Sequence, residues 1–298
     1  MRGIFQAGLF FALLSACSAT VPAQSKTIYG SDSRLPVQLA PQAIRDLAPA
    51  IALLTHTFKI QSADNKNVTL RTHILGDVFQ FCSDEPMREK IMTGDCSGFA
   101  VNANQLVTAR HCIPDQKSCD GRLFIFSQQN DSGTSISVQE MYRCAKIDSF
   151  LERENGDLVT VTLDRSLAMP SHFKFPVIAG DTLPSNDEQQ FGDAFVLGHP
   201  FGTTLTAAPI ESTAFDVDNV YFRARADVSQ GSSGSPVLSR TTGEILGVLT
   251  GGEIDLQWDS ASSCNRERVC ETHECSGERF TSAPALRKLL SPENQIQD

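Results

Sequence analysis

Short apolar runs recur along this chain, and none of them extends into a long amphipathic helix. Phe99–Val101, Gln105–Ala109, Leu123–Phe126, Leu158–Leu163, Phe195–Gly198, Val220–Ala224, Pro236–Leu238 and Ile245–Leu249 are each cut off by Gly, Asn, Asp, Ser or Pro. Many short strands with turn residues between them indicate an all-β sandwich or barrel. Leu47–Ile60, apolar and rich in β-branched residues, could supply the first strand. Near the end, Leu286, Leu289 and Leu290 fall at helical spacing, so a short C-terminal helix is expected there.

The first residues have a different logic. A basic start at Arg2 precedes the apolar run Ile4–Leu14, and small residues follow. That order is a secretory signal peptide, too short to span a membrane as a helix. Two cuts are open. Leu14-Ser15-Ala16-Cys17 resembles a bacterial lipobox, which would make residues 1–16 the signal and Cys17 a lipidated N-terminus. Val21-Pro22-Ala23 suits ordinary signal peptidase and would make it 1–23. The nine cysteines include an odd one. Removing or lipidating Cys17 leaves eight that can all pair, as an oxidising compartment favours. The chain is therefore expected to be exported: periplasmic, anchored to the outer membrane by its lipid, or extracellular. With a net charge of −10 it is a poor match for nucleic acid or anionic lipid. Membrane attachment is expected only through the N-terminal lipid.

Three short motifs carry chemistry. Gly231-Ser232-Ser233-Gly234 flanks a serine with glycines, which lets the backbone turn sharply and aim successive N–H groups at one point. Thr108-Ala109-Arg110-His111-Cys112 puts a histidine at a strand end. Gly156-Asp157 heads the β-rich run Leu158–Leu163. Each alone has a structural reading: a Gly/Ser loop, a buried histidine, a turn aspartate. Together, in the order His111, Asp157, Ser233, they have base, orienting acid and nucleophile.

The order, the approximate spacing and the Thr-Ala-x-His-Cys and Gly-x-Ser-Gly segments resemble the chymotrypsin–trypsin family of serine peptidases. The resemblance spans roughly Leu47–Leu290 and implies two six-stranded antiparallel β-barrels with the active site between them. It implies a catalytic triad of His111, Asp157 and Ser233, an oxyanion hole from the Gly231 and Ser233 N–H groups, and a Cys96–Cys112 disulfide. Cys119–Cys144 is a further pairing suggested by closeness in sequence. Cys264, Cys270, His273 and Cys275 could instead hold zinc, but in an exported chain disulfides are expected, so neither metal nor cofactor is. Ser232 stands where trypsin has the aspartate that receives a new N-terminus, so no such insertion is expected. The Gly-x-Ser-Gly-Ser-Pro form resembles the bacterial glutamyl-endopeptidase branch. The strand Gly247–Gly252 nevertheless lacks the histidine that acid specificity would require.

The resulting expectation is a signal (1–16 or 1–23), a tether or N-terminal arm (17–43) and a peptidase domain (44–290). That domain divides into an N-terminal barrel (44–168), a connection marked by Pro170, Pro176, Gly180 and Pro184 (169–186), and a C-terminal barrel (187–283). The function expected is a monomeric endopeptidase acting on protein or peptide substrates through an acyl-enzyme. Asp227, six residues before Ser233, would pair with a substrate Arg or Lys, with Thr250, Gly251 and Gly252 lining the pocket. The alternative is a non-catalytic binding or adhesion protein on the same fold.

Overall fold

The computed structural model describes residues 27–126, 134–180, 193–210, 220–270, 275–294 and 296. The signal sequence, Cys17, His273 and residues 181–186 of the expected connection lie outside them. No helix among the described residues is long and apolar enough to cross a membrane.

Six strands build the first half: β1 Ile51–His56, β2 Cys96–Ala100, β3 Gln105–Ala109, β4 Arg122–Ile125, β5 Met141–Leu151 and β6 Leu158–Leu163. They close into a barrel in the order β4-β5-β6-β3-β2-β1, every pair antiparallel. Six more build the second half: β7 Ala194–Gly198, β8 Thr206–Pro209, β9 Tyr221–Ala224, β10 Pro236–Ser239, β11 Ile245–Gly251 and β12 Glu278–Ser282. Their order is β9-β12-β11-β10-β7-β8, and a single bridge, Ile210 to Ala226, joins the sheet just beyond β8 and β9. Helix α1, Ala283–Leu290, follows, its first turn capped by the Ser282 hydroxyl.

Strand alternation explains how the halves meet. Along β6, Val159, Val161 and Leu163 face the interior of the first barrel. Leu158 faces the other way, into a cluster with Phe99, Leu197, Leu238, Val248 and the α1 residues Leu286 and Leu289. That shared cluster cements the two halves, and truncating one of its leucines to alanine costs about 2–5 kcal/mol. The second half has its own interior of Val196, Phe222, Val237, Leu249 and Phe280.

The segment before residue 44, expected as a tether or N-terminal arm, packs against the body over its described residues. Ile28–Tyr29 lies parallel to Val269–Cys270, Leu35–Pro36 adds a seventh strand outside β8, and Val37 and Ala40 are buried in the shared cluster. Buried apolar side chains and paired backbone tie it down, so the packed body starts at least as early as Thr27.

His199, just after β7, is wholly buried. Its Nδ1 donates to the Thr203 carbonyl at 2.8 Å, while Nε2 meets no hydrogen-bond partner among the described residues. Burial lowers its pKa to about 4 from an ordinary 6.5. The folded state therefore binds fewer protons than the unfolded state between those values. The contribution is fully present above pH 6.5 and is lost as the pH falls towards 4, amounting to about 3 kcal/mol. Denaturant unfolding across this window is expected to show that loss in the wild type. His199→Asn, which keeps a donor for Thr203 without a titrating ring, should flatten it; equal slopes in both proteins would contradict the assignment.

Candidate active site

His111 lies in a single 3-10 turn, Arg110–Cys112, directly after β3. Asp157 sits at the head of β6, antiparallel to β3, so strand pairing alone brings the two together. The Arg110 N–H donates to the Asp157 carbonyl at 2.8 Å. The His111 N–H donates to Asp157 Oδ1 at 3.2 Å, and His111 Nδ1 lies 2.9 Å from Oδ2. The contact assigns the ring proton to Nδ1 and turns Nε2 away from the carboxylate. The Asp157 side chain is buried at 4% exposure while that of His111 keeps 32%, so the carboxylate is shielded and the imidazole is open to solvent. Asp157 itself has φ of +51°, which a non-glycine residue holds only when its surroundings enforce it.

Ser233 follows Gly231, at φ +90°, and precedes Gly234, at φ +88°. Side chains are excluded there on two counts. The positive φ disfavours them, and a Cβ would overlap the Gly202 nitrogen at Gly231 or the Ser97 carbonyl at Gly234. The Ser232 and Gly234 N–H groups turn inward, to Ser229 O and Leu249 O.

Sequence reasoning missed the residue that joins this loop to the histidine. Ser97, on β2 of the first barrel, donates its N–H to the Ser233 carbonyl and its hydroxyl to the Gly231 carbonyl, both at 2.8 Å. Its own carbonyl accepts from Thr108 Oγ1, and its hydroxyl accepts the His199 N–H. Cys96, its neighbour, is disulfide-bonded to Cys112 beside His111. Cys112 Sγ lies 4.0 Å from the Ser233 carbonyl. The signal was present in Cys96-Ser97-Gly98, but only the cysteine could be interpreted from sequence. Asp255 was missed too: its Oδ2 accepts the Gln230 N–H, immediately ahead of Gly231.

Four disulfides form among the described residues: Cys82–Cys264, Cys96–Cys112, Cys119–Cys144 and Cys270–Cys275. They use Cys264, Cys270 and Cys275, the sulfurs of the zinc alternative. Cys96, His111 and Cys112 also bring ligand atoms within 4.8 Å of one another, but both sulfurs are bonded to each other.

Asp227, expected to face a substrate Arg or Lys, is engaged by the N-terminal arm. It is fully buried. Its Oδ1 accepts the Tyr29 N–H at 2.6 Å, and its Oδ2 accepts the N–H and hydroxyl of Ser33, each at 2.7 Å. The arm occupies the carboxylate that a substrate Arg or Lys was expected to meet. Arg34 clamps the same segment through Nη1 to Ser229 Oγ at 3.0 Å and a bidentate pair with Glu267 at 2.9 and 2.8 Å. Desolvation works against the charge, but the Asp32 carboxylate, paired with Arg34 at 2.7 Å, and Glu267 push the Arg34 pKa up. Thr250 is buried at the end of β11, Gly251 closes that strand, and Gly252 is exposed beyond it.

The family model for the trypsin-like peptidase domain matches residues 96–248. Among solved structures, the chain is similar to VesB protease of Vibrio cholerae at 17% identity, covering 90% of this chain and 68% of that one with a TM-score of 0.50. It is also similar to the inactive form of a serine-to-alanine mutant of Rv3671c from M. tuberculosis H37Rv, at 16% identity, 89% and 95% coverage and a TM-score of 0.49. At these identities the likeness is one of fold. No curated protein matches the chain.

If Asp227 serves the arm, Asp227→Asn should weaken turnover to a similar degree whether the residue before the scissile bond is Arg, Lys or apolar, and should lower the melting temperature. A profile of peptide substrates checks this. Loss confined to Arg and Lys substrates would restore the counter-ion role.

Proposed function

The chain belongs to the trypsin-like peptidase domain family, and on that premise we propose that it is an exported serine endopeptidase with His111, Asp157 and Ser233 as its triad. The observation that carries the reading is the His111 Nδ1 to Asp157 Oδ2 contact of 2.9 Å, with the glycine-flanked Ser233 held to the same strand system by Ser97.

His111 Nε2 takes the Ser233 hydroxyl proton as Oγ bonds to the scissile carbonyl carbon. Asp157 holds the ring in its tautomer and stabilises the imidazolium that forms. The oxyanion is received by the N–H groups of Gly231 and Ser233, the positions that alternate with the inward-turned Ser232 and Gly234. Collapse breaks the C–N bond, the imidazolium proton leaves on the amine, and water then hydrolyses the acyl-enzyme with His111 again as base. Thr250, Gly251 and Gly252 line the substrate side. With Asp227 committed to the arm, the preference for Arg or Lys loses the basis on which it was expected.

The four disulfides fit an oxidising, exported setting. Lipidation of Cys17 is the accompanying reading of the lipobox, and intact mass of the membrane fraction decides it: a chain beginning at Gln24 without lipid excludes it.

Ser233→Ala is expected to abolish peptide hydrolysis with the fold intact by circular dichroism. Asp157→Asn should lose about 10⁴-fold in turnover. Asp148, a second buried acid, spends its carboxylate on Thr162 Oγ1 and Gln105 Nε2, and Asp148→Asn should retain turnover. Hydrolysis by purified Ser233→Ala at the wild-type rate, or the reverse order of the two aspartate variants, would refute the assignment.

A further inference from the structure

Arg279 brings a cation to the back of the triad. It lies on β12, opposite Gly251 of β11 and Arg223 of β9. Its Nη2 is 3.7 Å from Asp157 Oδ2, the oxygen that also faces His111 Nδ1, and 3.3 Å from the Thr250 carbonyl. The guanidinium stacks over the Tyr221 ring, with Cζ 4.7 Å from the centroid. Asp157 is its one ion-pair partner among the described residues. The Thr250 hydroxyl meets Thr281 Oγ1 at 3.2 Å.

Resting on the triad reading above, we propose that Arg279 is a positioning residue of the reaction: it anchors the Asp157 carboxylate, ties it to the Thr250 edge of the substrate cleft, and sets the pH at which activity falls on the acid side. A cation beside Asp157 offsets part of that acid's attraction for the imidazolium on His111. Little solvent screens the pair, since the side chains are 19% and 4% exposed. Desolvation pulls the Arg279 pKa down, and the Tyr221 and Asp157 side chains act against it. The other charged and titratable groups around the pair are Arg153, Arg223 and Tyr221, with Arg110 and its partner Glu152 on the histidine side.

The fork geometry matters as well as the charge. An arginine can meet a carboxylate and a carbonyl at once, while lysine presents a single point of charge. The two contributions therefore separate in different variants.

The test is the pH profile of kcat/KM for wild type, Arg279→Met and Arg279→Lys on a fluorogenic peptide, with melting curves for each. Removing the charge should move the acid limb up by at least ~0.5 pH unit. The lysine variant should keep the wild-type limb while raising KM through loss of the Thr250 contact. Arg279→Gln replaces the methionine variant if that protein does not fold. A limb that stays put in the folded neutral variant, or one that moves equally in the lysine variant, overturns the role of Arg279 while leaving the triad standing. A wild type that neither turns over peptide nor labels at Ser233 overturns the triad reading itself.

Discussion

Ser97 is the joint on which the site depends. It belongs to the first barrel, yet it fixes two carbonyls of the Gly231–Gly234 loop in the second half, those of Gly231 and Ser233. Each is buried, so a lost partner would cost about 1–3 kcal/mol in desolvation that nothing repays. The same strand carries Cys96, bonded to the cysteine that follows His111. The His111 turn and the Ser233 loop are therefore registered through one short strand. The close approach it requires also excludes side chains at Gly231 and Gly234.

Around that joint, the arm and the second half form one clamp. Asp227, Ser229 and Gln230 lead into the Gly231–Gly234 loop, and two segments hold them: the arm takes Asp227 through Tyr29 and Ser33 and Ser229 through Arg34, while Asp255 takes Gln230. The Arg34–Glu267 pair is a bidentate contact between side chains 5% and 9% exposed, and Arg34 also pairs with Asp32, so losing Arg34 would leave the buried Glu267 carboxylate without its cation. In this chain the segment before Ser233 is shaped by residues almost two hundred positions upstream. That connection links the packing of the N-terminal arm to the order of the site.

Much of this was legible in the sequence because it is local. Apolar runs cut by turn residues give the strands, and a histidine or an aspartate at a strand end declares itself by its neighbours. The helix at Ala283–Leu290 showed in three leucines. What was not legible is contact between remote segments. An offset of six residues from Ser233 made Asp227 a pocket acid; donors 194 and 198 residues away, at Ser33 and Tyr29, make it a clamp. Cys82–Cys264 closes a separation of 182 residues, which parity could require but not identify. Arg279 lies in a run, Gly277-Glu278-Arg279-Phe280, with no motif to mark it. Only the antiparallel register of β12 with β11 brings it beside Asp157.

The most direct measurement is reaction of the purified chain with a fluorophosphonate probe, followed by mass mapping of the adduct. Only a serine activated by a base, with its oxyanion donors in place, reacts at a useful rate. The account requires one stoichiometric adduct, on Ser233, that disappears in His111→Ala. A folded protein left unlabelled, or labelled at a different serine, would contradict it.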